Sequence, residues 1–391
     1  MKLNLFLLLT ITLLFYNANA QTQALINGNT KFTTDVYKSL ISTEKGNFLV
    51  SPFSAQVVLA LASEGCIGES FDQLTKGVGI PTNSNIRHQA YQQLLQSFNQ
   101  DSELLKLLSA NKIYVQNNFT IKQAFQNIAR QVYYSDIKNI NFAENVNAAE
   151  VINQWVEEHT NNKIQNLISS DSLSALTRVV LINALYFLGN WTQKFEVKKT
   201  AIGDFTTISG SNVSVSFMTN DGNYNYKETK IAQFIELPYQ HDGNQSVSMI
   251  IVLPKQGKSG CMNVQSIFRR PTFTQNRVRV ILPKFSIQTS IEFTPILQSL
   301  GVTDIFNKET ADLSGMAGNK GQLIVSKVVQ KTFINVTESG TEAAAATGVI
   351  VGTTSVQLPP PITFDASRPF MYYIQYNSII LFSGRVSDPS K

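Results

Sequence analysis

The chain has few side chains of the types that carry out acid-base or metal chemistry. Its only histidines are His88, His159 and His241, and none lies in the H-E-x-x-H pattern of a zinc site. There is no G-x-S-x-G sequence, the turn that exposes a hydrolase serine. Residues 257–259 (Gly-Lys-Ser) resemble the end of a phosphate-binding loop, but Val252 stands where the first glycine is required. We therefore predict no enzyme, no metal site and no cofactor.

The segment that begins at Glu338 indicates chemistry of another kind, in which the backbone itself moves. A long apolar strand is predicted over residues 323–336, and it passes into the small-residue sequence of residues 338–348. Gly340 permits a backbone hinge, and the small side chains after it can lie exposed or slot between strands without a steric penalty. In a strand, alternation would bury on one face Thr341, Ala343, Ala345 and Thr347. A short alanine-rich surface helix is the alternative interpretation.

The elements that must position this segment have both helical and strand patterns. Ser51 precedes Pro52, which suits the first turn of a strongly apolar helix. The stretch Val179 to Phe187 is apolar almost throughout, which predicts a strand covered on both faces. Further strands are predicted at 235–239, 246–253, 278–282, 370–375 and 379–386. We predict one α+β domain.

The N-terminus has the features of a secretory signal peptide. Lys2 precedes an apolar stretch and a small-residue pattern that ends at Ala20. We predict that residues 1–20 are removed and that residues 21–391 form one exported domain with no membrane anchor, because the apolar stretch is too short to span a bilayer. With 43% hydrophobic residues and only Cys66 and Cys261 as cysteines, this domain must be held by its core. The net charge of +5 is spread along the chain, so no nucleic acid partner is predicted.

Five N-x-S/T sequons fit export. Three of the candidate acceptors lie in polar, loop-like context: Asn118, Asn212 and Asn244. Asn190 abuts Trp191 and Asn335 lies inside an apolar strand, so we predict that these two candidates are unmodified.

Several motifs, in order along the mature chain, resemble the serpin family. The run at residues 338–348 matches the serpin hinge, and residues 180–191 (VLINALYFLGNW) resemble the family's central strand. Further landmarks are Asn111–Tyr114, Leu297–Phe306, Ala311–Gly315 and Arg368–Phe370. The resemblance implies a fold of several helices packed on three β-sheets, with an exposed reactive loop at about residues 338–363. The implied hinge residues are Glu338, Gly340, Thr341, Glu342, Ala343, Ala344, Ala345, Ala346 and Thr347.

The same resemblance implies a suicide-substrate inhibitor of serine proteases. The target protease would form a covalent complex with the loop, after which the hinge would insert into the main sheet as an added strand. The small hinge residues favour this activity, and the alternative is a non-inhibitory serpin that binds or carries another molecule. We expect a monomer. Heparin activation is not expected, because residues 100–110 contain one basic residue, Lys106.

Counting the family interval from the hinge places the reactive bond at Thr354–Ser355, with Thr353–Thr354 as its neighbour. Counting from the C-terminal side instead places the bond after Leu358. Pro359 would then follow the bond, and the proline ring makes such a bond a poor protease substrate. No Lys or Arg occurs in residues 342–366, so an elastase-like or subtilisin-like target is favoured over a trypsin-like one.

The resemblance also assigns residues to the region where the sheet must open. These residues are Ser51, Ser54, Asn183, Trp191 and Gln330. Gln330 stands where the family commonly has His, and its amide can still donate and accept hydrogen bonds. We expect this change to alter the barrier to sheet opening.

Overall fold

The structure is a computed structural model that describes residues 2–98, 105–241, 246–258, 262–269, 271–341 and 360–391, with side chains described from residue 22 onward except at Ser109. The helices are α1 Lys2–Thr43, α2 Pro52–Ser63, α3 Glu69–Val78, α4 Ser84–Phe98, α5 Gln123–Val132, α6 Asn145–His159, α7 Val264–Ile267 and α8 Thr294–Ser299. The first strands are β1 Phe48–Val50, β2 Leu105–Gln116, β3 Asp136–Ile140, β4 Val179–Asn190, β5 Ala201–Thr206, β6 Asn212–Glu228 and β7 Ala232–Pro238. The remaining strands are β8 Val247–Pro254, β9 Thr274–Pro283, β10 Phe285–Glu292, β11 Val325–Val336, β12 Gly340–Thr341, β13 Ile362–Asp365, β14 Phe370–Tyr376 and β15 Ile379–Val386.

One sheet contains six strands in the order β10, β11, β12, β4, β2, β3. Strands β4 and β11 also pair directly, in parallel, and their last paired residues are Tyr186 and Phe333. Both faces of β4 are covered, because Leu185 packs in the main core and Ile182 packs in a second core under α6. The prediction of a strand buried on both faces is therefore confirmed.

The second sheet contains nine strands, which follow the order β1, β15, β14, β8, β7, β6, β9, β13, with β5 paired to β6. Strand β6 is long because one part pairs with β5 and β9 and its last residues pair with β7. The family resemblance implied three sheets. Two of these are joined into the single nine-stranded sheet, because β6 pairs with strands of both. The expected α+β class is confirmed.

Helix α2 lies between the two sheets, in contact with β4 and β15. All of its residues are buried, and the Ser51 side chain caps it by accepting a hydrogen bond from the Ser54 N–H at 3.2 Å. The helix start is therefore held against β11, where Gln330 accepts a hydrogen bond from the Ser51 N–H at 2.8 Å.

Helix α1 continues through the predicted cleavage point after Ala20, and among its described side chains Leu25, Phe32, Val36 and Leu40 are buried in the core. Removal of residues 1–20 would leave these four core residues in place, and the signal peptide stays a prediction. Across the part of the chain that the structure describes, no helix has the length and apolar character needed to cross a membrane.

Candidate functional site

The hinge begins as a short strand inside the six-stranded sheet. The chain reverses after β11 in a tight turn, in which the Thr337 N–H donates to the Gly340 carbonyl at 2.8 Å. Strand β12 then runs antiparallel to both neighbours, with Thr341 opposite Val336 of β11 and Gly189 of β4. Thr341 is fully buried, and the other residues of the predicted buried face, Ala343, Ala345 and Thr347, lie outside the described residues. The first residues of a potential inserted strand already lie between β4 and β11.

A glycine is required at residue 340 by the close approach of two backbones. A Cβ atom there would overlap the carbonyl oxygen of Gly189 and lie 2.8 Å from the Asn190 Cα. Gly189 is crowded in turn, because its Cβ would lie 2.9 Å from the Tyr239 ring. The two glycines let β12 enter the sheet beside β4.

Glu338 anchors the turn before β12. Its carboxylate accepts hydrogen bonds from Lys284 at 2.9 Å and Thr200 at 2.9 Å, and its carbonyl accepts one from the Phe195 N–H at 2.9 Å. Burial acts to raise the pKa of Glu338, but hydrogen bonds from Lys284, from its own backbone N–H and from Thr200 together lower it. The carboxylate is therefore held in its charged form.

Trp191 and Tyr239 form the surface against which the hinge packs. Their rings stack with centroids 4.4 Å apart, and the indole N–H of Trp191 donates to the Thr337 carbonyl at 3.0 Å. The Tyr239 hydroxyl lies 2.7 Å from Thr341 Oγ1. Sequence reasoning missed Tyr239, Lys284 and Thr200, because each lies between strands and has no local motif. Tyr239 directly follows β7, Lys284 joins β9 to β10, and Thr200 directly precedes β5.

A cluster of buried polar residues lies further down the same pair of strands. Gln330 of β11, Asn183 of β4 and Asn111 of β2 are direct neighbours in register, and we call these three residues the amide row. Gln330 donates to Asn183, and Asn183 donates to Asn111. Opening the sheet between β4 and β11 must break the contact of Gln330 with Asn183.

The amide row is joined to the start of α2. Gln330 Nε2 donates to the Ser51 carbonyl at 2.8 Å, and the Ser51 hydroxyl donates to the Leu381 carbonyl at 2.6 Å. Ser54 donates to Asn111 at 3.1 Å and accepts a hydrogen bond from Asn183. The structure therefore brings together Ser51, Ser54, Asn183 and Gln330, whereas Trp191 lies apart at the hinge. Asn111 is a member that sequence reasoning did not assign to this cluster.

The expected loop boundaries need a correction. The sequence predicted an exposed loop over residues 338–363, but Glu338 is 7% exposed, Gly340 and Thr341 are buried in the sheet, and residues 362–363 belong to β13. The reason is that β12 satisfies its backbone groups by pairing on both sides. The predicted hinge residues Glu342 to Thr347 and the predicted bond Thr354–Ser355 lie outside the described residues.

The sequons differ in exposure in the way that the sequence predicts. Asn118 and Asn212 are exposed, while Asn190 and Asn335 are half-buried in β4 and β11. Asn244 lies outside the described residues. Only exposed acceptors can be reached by a glycosyltransferase, so Asn118 and Asn212 remain candidates.

The chain is similar to known proteins in both sequence and structure. The family model described as Serpin (serine protease inhibitor) matches residues 27–389. The crystal structure of Serpin48 from the insect Tenebrio molitor is similar, with a TM-score of 0.87, 40% identity and coverage of 94% of this chain and 98% of that chain. Antitrypsin from Bombyx mori is 36% identical over 92% of each chain. Leukocyte elastase inhibitor from Homo sapiens is 33% identical over 94% of this chain and its whole length.

Proposed function

This chain belongs to the serpin family, and we propose that it is a secreted inhibitor that traps a serine protease by inserting its cleaved loop into the six-stranded sheet. The observation that carries this proposal is β12, because Gly340 and Thr341 already pair with β11 on one side and β4 on the other. A strand that is started in this way can be extended residue by residue, since each addition supplies backbone hydrogen bonds.

The proposed reaction begins as ordinary proteolysis. The Oγ of the protease serine attacks the carbonyl carbon of Thr354, and the amide bond to Ser355 breaks. The proton of the serine hydroxyl passes to the departing amine of Ser355, and Thr354 stays joined to the protease as an ester. Insertion then carries the ester and the protease away before water can attack the ester.

The exchange of strand pairs favours insertion. In the intact chain β4 and β11 pair in parallel, from Val179 and Val325 to Tyr186 and Phe333. A strand that extends β12 would be antiparallel to both, as β12 is now. One parallel pairing would thus be replaced by two antiparallel ones, and antiparallel pairs are slightly more stable per residue.

The target and the location are part of the proposal. No Lys or Arg lies in residues 342–366, which favours an elastase-like or subtilisin-like protease over one whose pocket requires a positive charge. We propose export after removal of residues 1–20, with glycans at Asn118 or Asn212. N-terminal sequencing of the exported protein should begin at Gln21, and a chain that keeps its apolar N-terminus would contradict export by this route.

The decisive experiment is incubation with a panel of serine proteases. We expect an SDS-stable covalent complex with at least one elastase-like or subtilisin-like enzyme, and a released C-terminal peptide that begins at Ser355 by mass spectrometry. Cleavage of the loop without a complex would instead support the alternative, a non-inhibitory serpin.

A pair of hinge variants tests insertion itself. In a strand that continues β12, alternation turns Ala345 to the same face as buried Thr341 and turns Ala344 to the opposite face. Ala345→Glu should therefore convert the inhibitor into a substrate that is cleaved and released, while Ala344→Glu should impair trapping less. Equal trapping by the two variants would argue against insertion in this register.

A further inference from the structure

Leu176 is the most exposed large apolar side chain in the part of the chain that the structure describes, at 78%. It lies in a tight turn between Leu173, which is buried, and Val179, where β4 begins. A single exposed leucine is common on protein surfaces and indicates no function by itself. Two further observations distinguish Leu176, the rigidity of its turn and its position relative to β12.

The turn that carries Leu176 is held by hydrogen bonds to its own residues and to the sheet. The Leu176 N–H donates to Ser174 Oγ at 3.2 Å, and the Arg178 guanidinium donates to the Ala175 carbonyl at 2.8 Å. The Arg178 N–H donates to Ser326 Oγ of β11 at 3.0 Å. The turn is therefore fixed to both strands between which the proposed insertion takes place.

The pairing of β12 determines where an inserted strand would end. Thr341 lies opposite Gly189 of β4. In an antiparallel strand, Val351, ten residues after Thr341, would lie opposite Val179, ten residues before Gly189. Val179 is the first residue of β4, so Val351 would form the last pair with this strand.

The pairing with β11 gives the same register. Thr341 lies opposite Val336, so Thr347 would lie opposite Gln330. Counting along β4 places Thr347 opposite Asn183. Gln330 and Asn183 are direct partners in the intact sheet, so an inserted strand would meet both neighbours in the register that they already have.

The reactive residue Thr354 would lie just beyond the end of the sheet, beside the turn. It comes three residues after Val351, and Leu176 comes three residues before Val179. At about 3.3 Å per residue, Thr354 would lie roughly 10 Å past the last pair, level with Leu176. A protease joined to Thr354 as an ester would thus have its active-site surface against this turn.

We propose that Leu176 contacts the trapped protease and that this contact prolongs the covalent complex, an inference that rests on the proposed function. The partner is the target serine protease. An elastase-like or subtilisin-like enzyme binds uncharged substrate residues, so apolar groups surround its reactive serine. Packing of Leu176 against these groups removes apolar area from water and stabilises the complex against release.

The test measures the lifetime of the isolated covalent complex. Complexes of the unmodified protein, Leu176→Ser and Leu176→Met with one protease are incubated, and the recovery of protease activity and the loss of SDS-stable complex are followed together. Leu176→Ser should release active protease about tenfold faster, which corresponds to about 1.4 kcal/mol. Leu176→Met should behave like the unmodified protein, because its side chain is apolar and of similar volume.

Ile202→Ser is the matched control. Ile202 is 72% exposed on β5, away from the path of insertion, so its complex should last as long as that of the unmodified protein. All proteins carry Asn118→Gln, so that no glycan covers the turn. The Gln116 N–H donates to the Arg178 carbonyl at 2.9 Å, which places Asn118 close to the turn.

The possible outcomes separate this inference from the proposed function. Equal lifetimes for the complexes of Leu176→Ser and the unmodified protein would overturn the inference and leave the proposed inhibition standing. Failure of the unmodified protein to form any SDS-stable complex would overturn both. The thermal midpoint of intact Leu176→Ser should be unchanged, because the side chain is exposed, so faster release would not reflect a loss of folding.

Discussion

Gln330 makes more contacts than an imidazole in the same place could make. Its amide donates to the Ser51 carbonyl and to Asn183, and it accepts from the Ser51 N–H. A neutral histidine has one donor and one acceptor, so it cannot satisfy all three partners. The glutamine amide at residue 330 therefore holds the closed sheet to the start of α2 more firmly than a histidine at this residue would.

The first prediction concerns this residue. Gln330→His should lower the free energy of unfolding of the intact protein by about 1 kcal/mol, the typical net value of one hydrogen bond. Gln330→Ala should cost more, about 2–3 kcal/mol, because buried groups of Ser51 and Asn183 would lose their partner. Urea unfolding monitored by circular dichroism measures both. An Ala variant as stable as the unmodified protein would show that the amide row does not hold the closed sheet.

The second prediction concerns the charge of Glu338. Its folded pKa lies below the ordinary glutamate value of 4.5, so its contribution to stability is present above about pH 4.5 and is lost as the pH falls through the folded pKa. Glu338→Gln should cost about 1 kcal/mol at pH 7 and show a weaker loss of stability on acidification. Thermal unfolding from pH 7 to pH 3.5 measures this difference. Parallel curves for the two proteins would show that the Lys284 contact is not coupled to folding.

At the scale of elements, β12 connects the loop to the sheet. It is short, and it is held by backbone pairing with β4 and β11 and by the hydroxyl contact of Thr341 with Tyr239. Trp191 stacks on Tyr239, and its indole N–H donates a hydrogen bond to the Thr337 carbonyl in the turn before β12. Its indole therefore reports on the position of the hinge.

The third prediction follows from the contact of Gly340 with Gly189. Gly340→Val should expel β12 from the sheet, because its Cβ has no space beside the Gly189 carbonyl. Trp191 should then become more exposed, and its fluorescence should shift to longer wavelength and be quenched more by acrylamide. Since Trp155 is the only other tryptophan, the measurement is made in a Trp155→Phe background. An unchanged spectrum would mean that β12 tolerates the side chain and is not tightly packed.

For the whole molecule, the direct pairing of β4 with β11 closes a position that a further strand could fill. We therefore expect that the intact fold is not the arrangement of lowest free energy and that a kinetic barrier keeps the chain in it. Cleavage near residue 354 would free the residues after Thr341 to fill this position.

The fourth prediction is a gain in stability on loop cleavage. The protein nicked by a non-target protease should unfold at a higher temperature than the intact protein in differential scanning calorimetry, because the added strand gains pairing on both edges. The nicked Ala345→Glu variant is the control and should gain less. A nicked protein that melts at the same temperature as the intact one would contradict loop insertion.

The sequence by itself determined the elements and the family. The apolar run of β4, the capped start of α2 at Ser51 and the small residues after Gly340 are local patterns, and each is decided by periodicity or by backbone preference. Only the tertiary structure decided that Gly340 and Thr341 pair inside the six-stranded sheet and that Asn111 completes the amide row. The reason is that these contacts join residues far apart in the chain, where register and packing, not local pattern, bring the side chains together.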